Sequence, residues 1–181
     1  MDFLALSQQC GLDVNPVTTM AIIKSESGFD PLVIRDNTTH RTIHFTTKDK
    51  AVAAVKELDG KHHKLAVGLM QITSPWFAKY SIKPEVLFDA CSNIQYGTKI
   101  LSDNYRAYYA VSHSKYKALQ QAISTYWSGN PHTGGAYVNY VYSKAGSPVR
   151  MEETPGISDG ILMSDSRNDG ISFPASYAEQ K

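Results

Sequence analysis

The apolar positions of this chain recur mainly at the three- and four-residue spacing of helices. Asn15-Pro16 ahead of Val17, Met20, Ala21 and Lys24 joins an N-cap residue to a proline at the first helical position. It predicts a helix running to about Glu26 or Ser27, stopped by Gly28 and Pro31. Ala51, Val52, Ala54, Val55 and Leu58 predict a second helix over 47–58, closed by Asp59-Gly60, and Ser74-Pro75 opens a third carrying Trp76, Phe77 and Tyr80. The longest helix is predicted from about Cys91 to Tyr109, where Ile94, Gly97, Thr98, Leu101 and Tyr105 share one face. Two more, about Ser114 to Tyr126 and Gly135 to Lys144, complete a mainly α fold. Leu32 to Phe45, with Asp36-Asn37 between β-branched stretches, reads as a short hairpin or irregular flap inserted among the helices.

From Ala145 onward the composition shifts to Ser, Gly, Pro, Asp and Glu, and neither periodicity survives. The expectation is one domain over 1–145 and a flexible tail over 146–181. The alternative is a tail that orders on a partner, with Ile161, Leu162, Met163 and Phe173 as its anchors.

Composition narrows the class. At 181 residues the chain is long enough for one well-buried core. With 18 basic and 17 acidic residues the formal net charge is +1, which gives no support to charge-driven nucleic-acid binding. No apolar run approaches the roughly 20 residues of a membrane-spanning helix, and Met1 to Gly11 lacks the pattern of a secretory signal. Cys10 and Cys91 lie in no metal-spaced cluster. If paired, they would close a loop of roughly eighty residues, worth on the order of 4 kcal/mol, and would imply an oxidising compartment. Two reduced core cysteines fit the composition equally well.

Glu26 is the first candidate for chemistry. It closes an apolar helix just before turn residues, with Ile22, Ile23 and Phe29 near it in sequence. Burial against such neighbours lifts a glutamate above its usual value of about 4.3 and keeps it protonated for general-acid work. Taken alone, Glu26 also fits an ordinary solvated glutamate at a helix end. Two further segments, Gly68-Leu69-Met70-Gln71-Ile72 and Ser124 to Asn130, place polar groups beside glycine in otherwise helical surroundings. A metal at His40, His44 and His62-His63 is disfavoured, because no carboxylate or cysteine is spaced to complete a site. Lys48, Lys50, Lys56, Lys61 and Lys64 read as a solvated face, or as a contact for anionic groups. Neither Ser27 nor Ser128 sits in a Gly-x-Ser-x-Gly elbow.

Taken together, these segments resemble the lytic transglycosylases that share the goose-type lysozyme fold, over roughly residues 10 to 145. Glu26-Ser27, followed by Phe29 and Pro31, matches the family's acid motif, and Gly68 to Ile72 matches its second motif. Tyr126 to Gly129 matches the third, usually Ala-Tyr-Asn-x-Gly, with Trp127 in place of the asparagine. Within the family, the chain resembles most the peptidoglycan-cleaving component of type IV secretion systems. Cysteines near Cys10 and Cys91, and an insertion between the first two motifs, are usual there.

The resemblance implies an α+β lysozyme-like fold, a helical bundle around a substrate cleft, and a Cys10–Cys91 disulfide. It implies periplasmic cleavage of the β-1,4 bond between N-acetylmuramic acid and N-acetylglucosamine, leaving anhydromuramyl ends, with Glu26 as the single acid and base and no cofactor. Ser27, Gly68, Met70, Gln71, Tyr126, Trp127 and Asn130 would meet the substrate, although Met70 and Trp127 equally fit core packing. Gly68 would let backbone approach the sugar, and the Gln71 amide would offer it both donors and an acceptor. The partners would be glycan strands and, through the tail, other secretion components. The alternatives are a non-catalytic wall-binding assembly module, or a hydrolytic lysozyme drawing a second carboxylate from Asp36, Asp49, Glu57 or Asp59.

Overall fold

A computed structural model describes residues 1–146. Among them are seven α-helices: α1 Phe3–Cys10, α2 Pro16–Glu26, α3 Lys48–Gly60, α4 Ser74–Tyr80, α5 Ala90–Ser112, α6 Lys115–Ser128 and α7 Gly135–Lys144. Four strands, β1 Val33–Asp36, β2 Arg41–His44, β3 Leu65–Val67 and β4 Ile72–Thr73, and a 3-10 helix, Pro84–Phe88, complete the list. The fold is mainly α with one small antiparallel sheet, as expected. Apart from Gly146, the expected tail lies outside the described residues. No described helix is long and apolar enough to cross a membrane.

The described residues divide into two compact units, one of Met1–Ser25 with residues 98–146, the other Glu26–Gly97. The first is helical. Asp2 caps α1 by accepting from the N–H groups of Leu4 and Ala5 at 3.0 and 3.1 Å. Asn15 caps α2, its side-chain oxygen 2.8 Å from the Val17 nitrogen, as the Asn-Pro signal predicts. The unit's core takes Ile22 and Ile23 from α2, Ile100, Leu101 and Tyr105 from α5, Ala122 and Ile123 from α6, and Val138, Val141 and Tyr142 from α7. Burial, reinforced by the phenol of Tyr116, pushes the Tyr142 hydroxyl well above its usual range, so it stays neutral.

The second unit is built on the sheet, in the order β2-β1-β3-β4 with every pair antiparallel. Ile34 pairs with Ile43 on one side and Val67 on the other. The flap expected over 32–45 is therefore a true hairpin, with β2 on the sheet's outer edge. The inner strand β3 is buried throughout, and the fully buried Ala51 and Val55 of α3 and Leu87 of the 3-10 helix add to this unit's core. The 3-10 helix ends into Asp89, whose carboxylate accepts from the Ser92 N–H at 2.9 Å and hydroxyl at 2.8 Å in the first turn of α5. Those two bonds hold Asp89 below the usual carboxylate range.

Cys10 and Cys91 are disulfide-bonded, which decides between the two readings left open by composition.

Candidate active site

Glu26 is the last residue of α2 and is half-buried. The chain turns immediately after it through two consecutive left-handed residues, Gly28 at φ 60° and Phe29 at φ 72°. Glycine takes that conformation freely, whereas Phe29 is strained in it, a condition that recurs at functional sites. Asp30 then fastens the turn. One of its oxygens accepts from the Leu32 N–H at 2.8 Å and the other lies 2.6 Å from Nδ1 of His44 on β2.

Asp36, at the end of β1, is spent in the same way. It is 2% exposed and accepts from the N–H groups of Thr38 and Thr39, from the Thr39 hydroxyl at 2.6 Å and from His63 at 2.8 Å. Burial works to raise this carboxyl, but the hydrogen bonds from Thr39, His63 and the two backbone groups outweigh it and bring it down to about 2. Glu57 pairs with Lys61 one helical turn along α3, and that bond and charge lower it as well. Asp30 and Asp36 thus serve the hairpin, holding its two ends.

The second motif forms a tight reversal between β3 and β4. Gly68 has φ 74° and Gln71 φ 48°. A methyl group on Gly68 would stand 2.3 Å from Nδ2 of Asn93 and 2.4 Å from the Leu87 carbonyl oxygen. The close approach that this glycine permits is therefore to Asn93 and Leu87. Met70 is fully buried, with its sulfur against Gly97, where an added Cβ would be 2.3 Å away. It packs in the interior of its unit. Gln71 is 6% exposed and its amide nitrogen donates to the Gly68 carbonyl at 2.9 Å and, more weakly, to that of Val33 at 3.5 Å. Its donors are consumed by the fold, leaving it an acceptor where the sequence suggested both. Asn93, absent from the sequence reading, is the residue around which this reversal closes. Its one sequence signal is a carboxamide on the apolar face of α5, a turn before Gly97.

The third motif lies in the helical unit at the end of α6. Tyr126 is 4% exposed, and its neighbour Thr125 is joined to the Tyr108 hydroxyl at 2.7 Å. Trp127 is 54% exposed, its indole stacked on Tyr137 with ring centroids 5.5 Å apart and planes within 10°. Gly129, at φ 73°, ends the helix with its N–H on the Thr125 carbonyl at 2.8 Å. Asn130 is held by the loop itself: its carbonyl accepts from Ser124 at 2.6 Å and Ser128 at 2.9 Å, and its side-chain oxygen accepts from the His132 N–H at 2.8 Å. Gly68, Met70 and Gln71 thus share one turn of the sheet unit, and Tyr126, Trp127 and Asn130 gather at one end of α6. Ser27 is half-buried beside Glu26.

Comparison with known proteins bears on what this arrangement does. The protein is similar to protein virB1 of Rhizobium radiobacter, 36% identical over 150 residues, covering 82% of this chain and 62% of that protein. It is similar to the type IV secretion system protein virB1 of Brucella abortus, 33% identical over 158 residues, covering 87% of this chain and 64% of that protein. The chain thus spans a little over three fifths of the length of these relatives. No solved structure matches it significantly. The sequence profile of the transglycosylase SLT domain matches residues 3–147, four fifths of the chain and all three motifs, and the chain belongs to the transglycosylase SLT family.

Proposed function

We propose that the chain is a lytic transglycosylase that opens peptidoglycan at the β-1,4 bond between N-acetylmuramic acid and N-acetylglucosamine. The observation that carries this reading is the place of Glu26 in the acid motif at the end of α2, inside the region that the transglycosylase SLT profile matches. Glu26 stands half-buried at the C-terminal end of α2, directly before the left-handed turn at Gly28 and Phe29. Asp30 and Asp36, the next two acids along the chain, are committed to backbone and histidine donors. A hydrolytic glycosidase needs two carboxyl groups, one as acid and one to activate water or attack the sugar. An intramolecular route needs one. Glu26 gives its proton to the glycosidic oxygen as the bond to the muramyl C1 breaks. The carboxylate so formed takes the proton from the same sugar's C6 hydroxyl as that oxygen bonds to C1, which leaves a 1,6-anhydro end and restores the acid.

By their motif positions, Ser27 and Tyr126 are assigned to steadying the carboxyl and the developing positive charge, and Gln71 to accepting from the substrate's acetamido N–H. Trp127, with one face on Tyr137 and more than half its surface open, is assigned as a stacking platform for a sugar ring. Gly68 and Met70 shape and support the turn that carries Gln71, and Asn130 the loop after Trp127. The printed name of the Brucella relative, a type IV secretion system protein, supports a role in such an apparatus, and local wall opening for it would take place in the periplasm.

The test is mass spectrometry of soluble products from purified peptidoglycan. Muropeptides lighter by one water than their hydrolysed counterparts, absent with Glu26→Gln, are the expected outcome. Reducing ends would instead identify a lysozyme, and an undiminished Glu26→Gln variant would remove Glu26 from the mechanism.

A further inference from the structure

We propose that Asn93 is a positioning residue for this reaction: it locks the Gly68–Gln71 turn in the conformation that presents the Gln71 amide oxygen as a fixed acceptor to the substrate. The inference rests on the transglycosylase reading for its kinetic consequence, but the lock itself can be tested without it.

Asn93 lies on α5 with no exposed surface, and its carboxamide is used in full. Its nitrogen donates to the carbonyls of Val67 at 3.0 Å and Leu87 at 2.9 Å, and its oxygen accepts from the Met70 N–H at 2.8 Å. The three partners lie on the strand that enters the turn, within the turn itself, and on the 3-10 helix alongside. Gly68 completes the fit, because the space a side chain would fill there is occupied by the Asn93 amide and the Leu87 carbonyl. One carboxamide thus sets the path of the backbone from Val67 to Met70.

Gln71 shows what that path is for. It holds φ 48°, a conformation that suits glycine or asparagine and that a longer side chain adopts only when its surroundings impose it. Within the turn its nitrogen is tied to the Gly68 and Val33 carbonyls, and no described residue donates to its oxygen. That oxygen is also absent from the fully buried side-chain atoms that lack a partner, so it reaches solvent. The result is an acceptor whose direction is fixed by two bonds to backbone and whose backbone is fixed by Asn93. A substrate rich in acetamido N–H and hydroxyl donors is what such a group recognises. If the turn relaxed, Gln71 would leave the left-handed region and its amide would lose the Gly68 carbonyl and swing away.

The experiment is a double-mutant cycle on kcat/KM for anhydromuropeptide release, using the full chain, Asn93→Ser, Gln71→Gly and the double variant. Gln71→Gly removes the acceptor while relieving the backbone, so activity should fall at least tenfold with the melting temperature held within a few degrees. Asn93→Ser should lower kcat/KM by a similar factor, and the double variant should be no worse than the poorer single one, since both remove the same contact. Losses that multiply would overturn the proposal and leave Asn93 with a general structural role. Asn93→Asp gives a second reading: an ionised carboxylate cannot donate to Val67 and Leu87, whereas a protonated one recovers a donor. Its activity relative to wild type should therefore rise as pH is lowered, and a flat ratio counts against the lock. The Gln71 side-chain amide protons, followed by NMR, need no activity at all. They should be protected from exchange in the wild type and lose that protection in Asn93→Ser, and equal protection in both would overturn the proposal. A wild-type protein that releases no anhydro products would defeat the transglycosylase reading alone, leaving the lock to be judged by those protons.

Discussion

A carboxylate bound by several donors holds a proton poorly, because each of those bonds favours the charged form. Asp36 shows the cost of commitment. Its donors hold it at about 2 against an ordinary value of 3.8. A carboxylate with a depressed folded value stabilises the fold above its unfolded value and loses that contribution as pH falls through the folded one. Stability should therefore drop between about pH 4 and pH 2, and Asp36→Asn should flatten that part of the profile while costing on the order of 2 kcal/mol at neutral pH, measured by urea unfolding. Trp127 belongs to the opposite class, exposed and packed on one face only. Trp127→Ala should change stability by less than about 1 kcal/mol and raise KM for glycan several-fold with kcat little altered, since stacking acts on bound substrate before and during reaction. Glu26 and Trp127 were legible in the sequence as candidates, because their type and motif position carry the signal. Asp36 was not, since whether an aspartate is spent on a turn depends on where His63 comes to lie, 27 residues away.

At the scale of the element, the long helices follow from periodicity and caps. α2, α3, α6 and α7 begin and end within a residue or two of expectation, α4 begins where Ser74-Pro75 signals it, and α5 extends about three residues further at its C-terminal end. Two kinds of element escaped. β3 and β4 have three and two residues, too short for any alternation to register, and β3 is buried throughout, so its burial shows no alternation. Their pairing is a tertiary fact, fixed by β1 and by the turn between them. α1 was missed for a different reason: Asp2 as N-cap and Gly11 just past its end are sequence signals, but its apolar residues leave Leu4 47% exposed and form no clean stripe. The turn between β3 and β4 gives this scale its prediction. Gly68→Ala would need both a left-handed alanine and room beside Asn93, and should destabilise by more than about 2 kcal/mol, read as a fall in melting temperature. An effect below about 0.5 kcal/mol would mean that the turn yields easily.

For the whole molecule, the Cys10–Cys91 bond links residues far apart in the sequence. It closes a loop of roughly eighty residues, and by chain entropy its loss should cost on the order of 4 kcal/mol, less any strain it carries. The double variant Cys10→Ser, Cys91→Ser, compared with wild type in urea, should show a lower midpoint. A midpoint that does not move would show that the unfolded chain is already restrained or that the native bond is strained. Composition alone gave the two cysteines no partner, because linking residues so far apart depends on the fold and not on local pattern.

The sequence by itself determined the mainly α class, most of the helices after α1, the catalytic candidate at the end of α2 and the three motifs of the family, because each rests on spacing, on caps or on residue type in a short window. Only the tertiary structure decided that Gly68 makes room for Asn93, that Met70 lies in the interior, that Gln71 is left an acceptor, and that Asp30 and Asp36 are already spent. Those are facts about which groups meet across tens of residues, and a local pattern cannot carry them: hydrogen-bond partners and burial are properties of the packed chain.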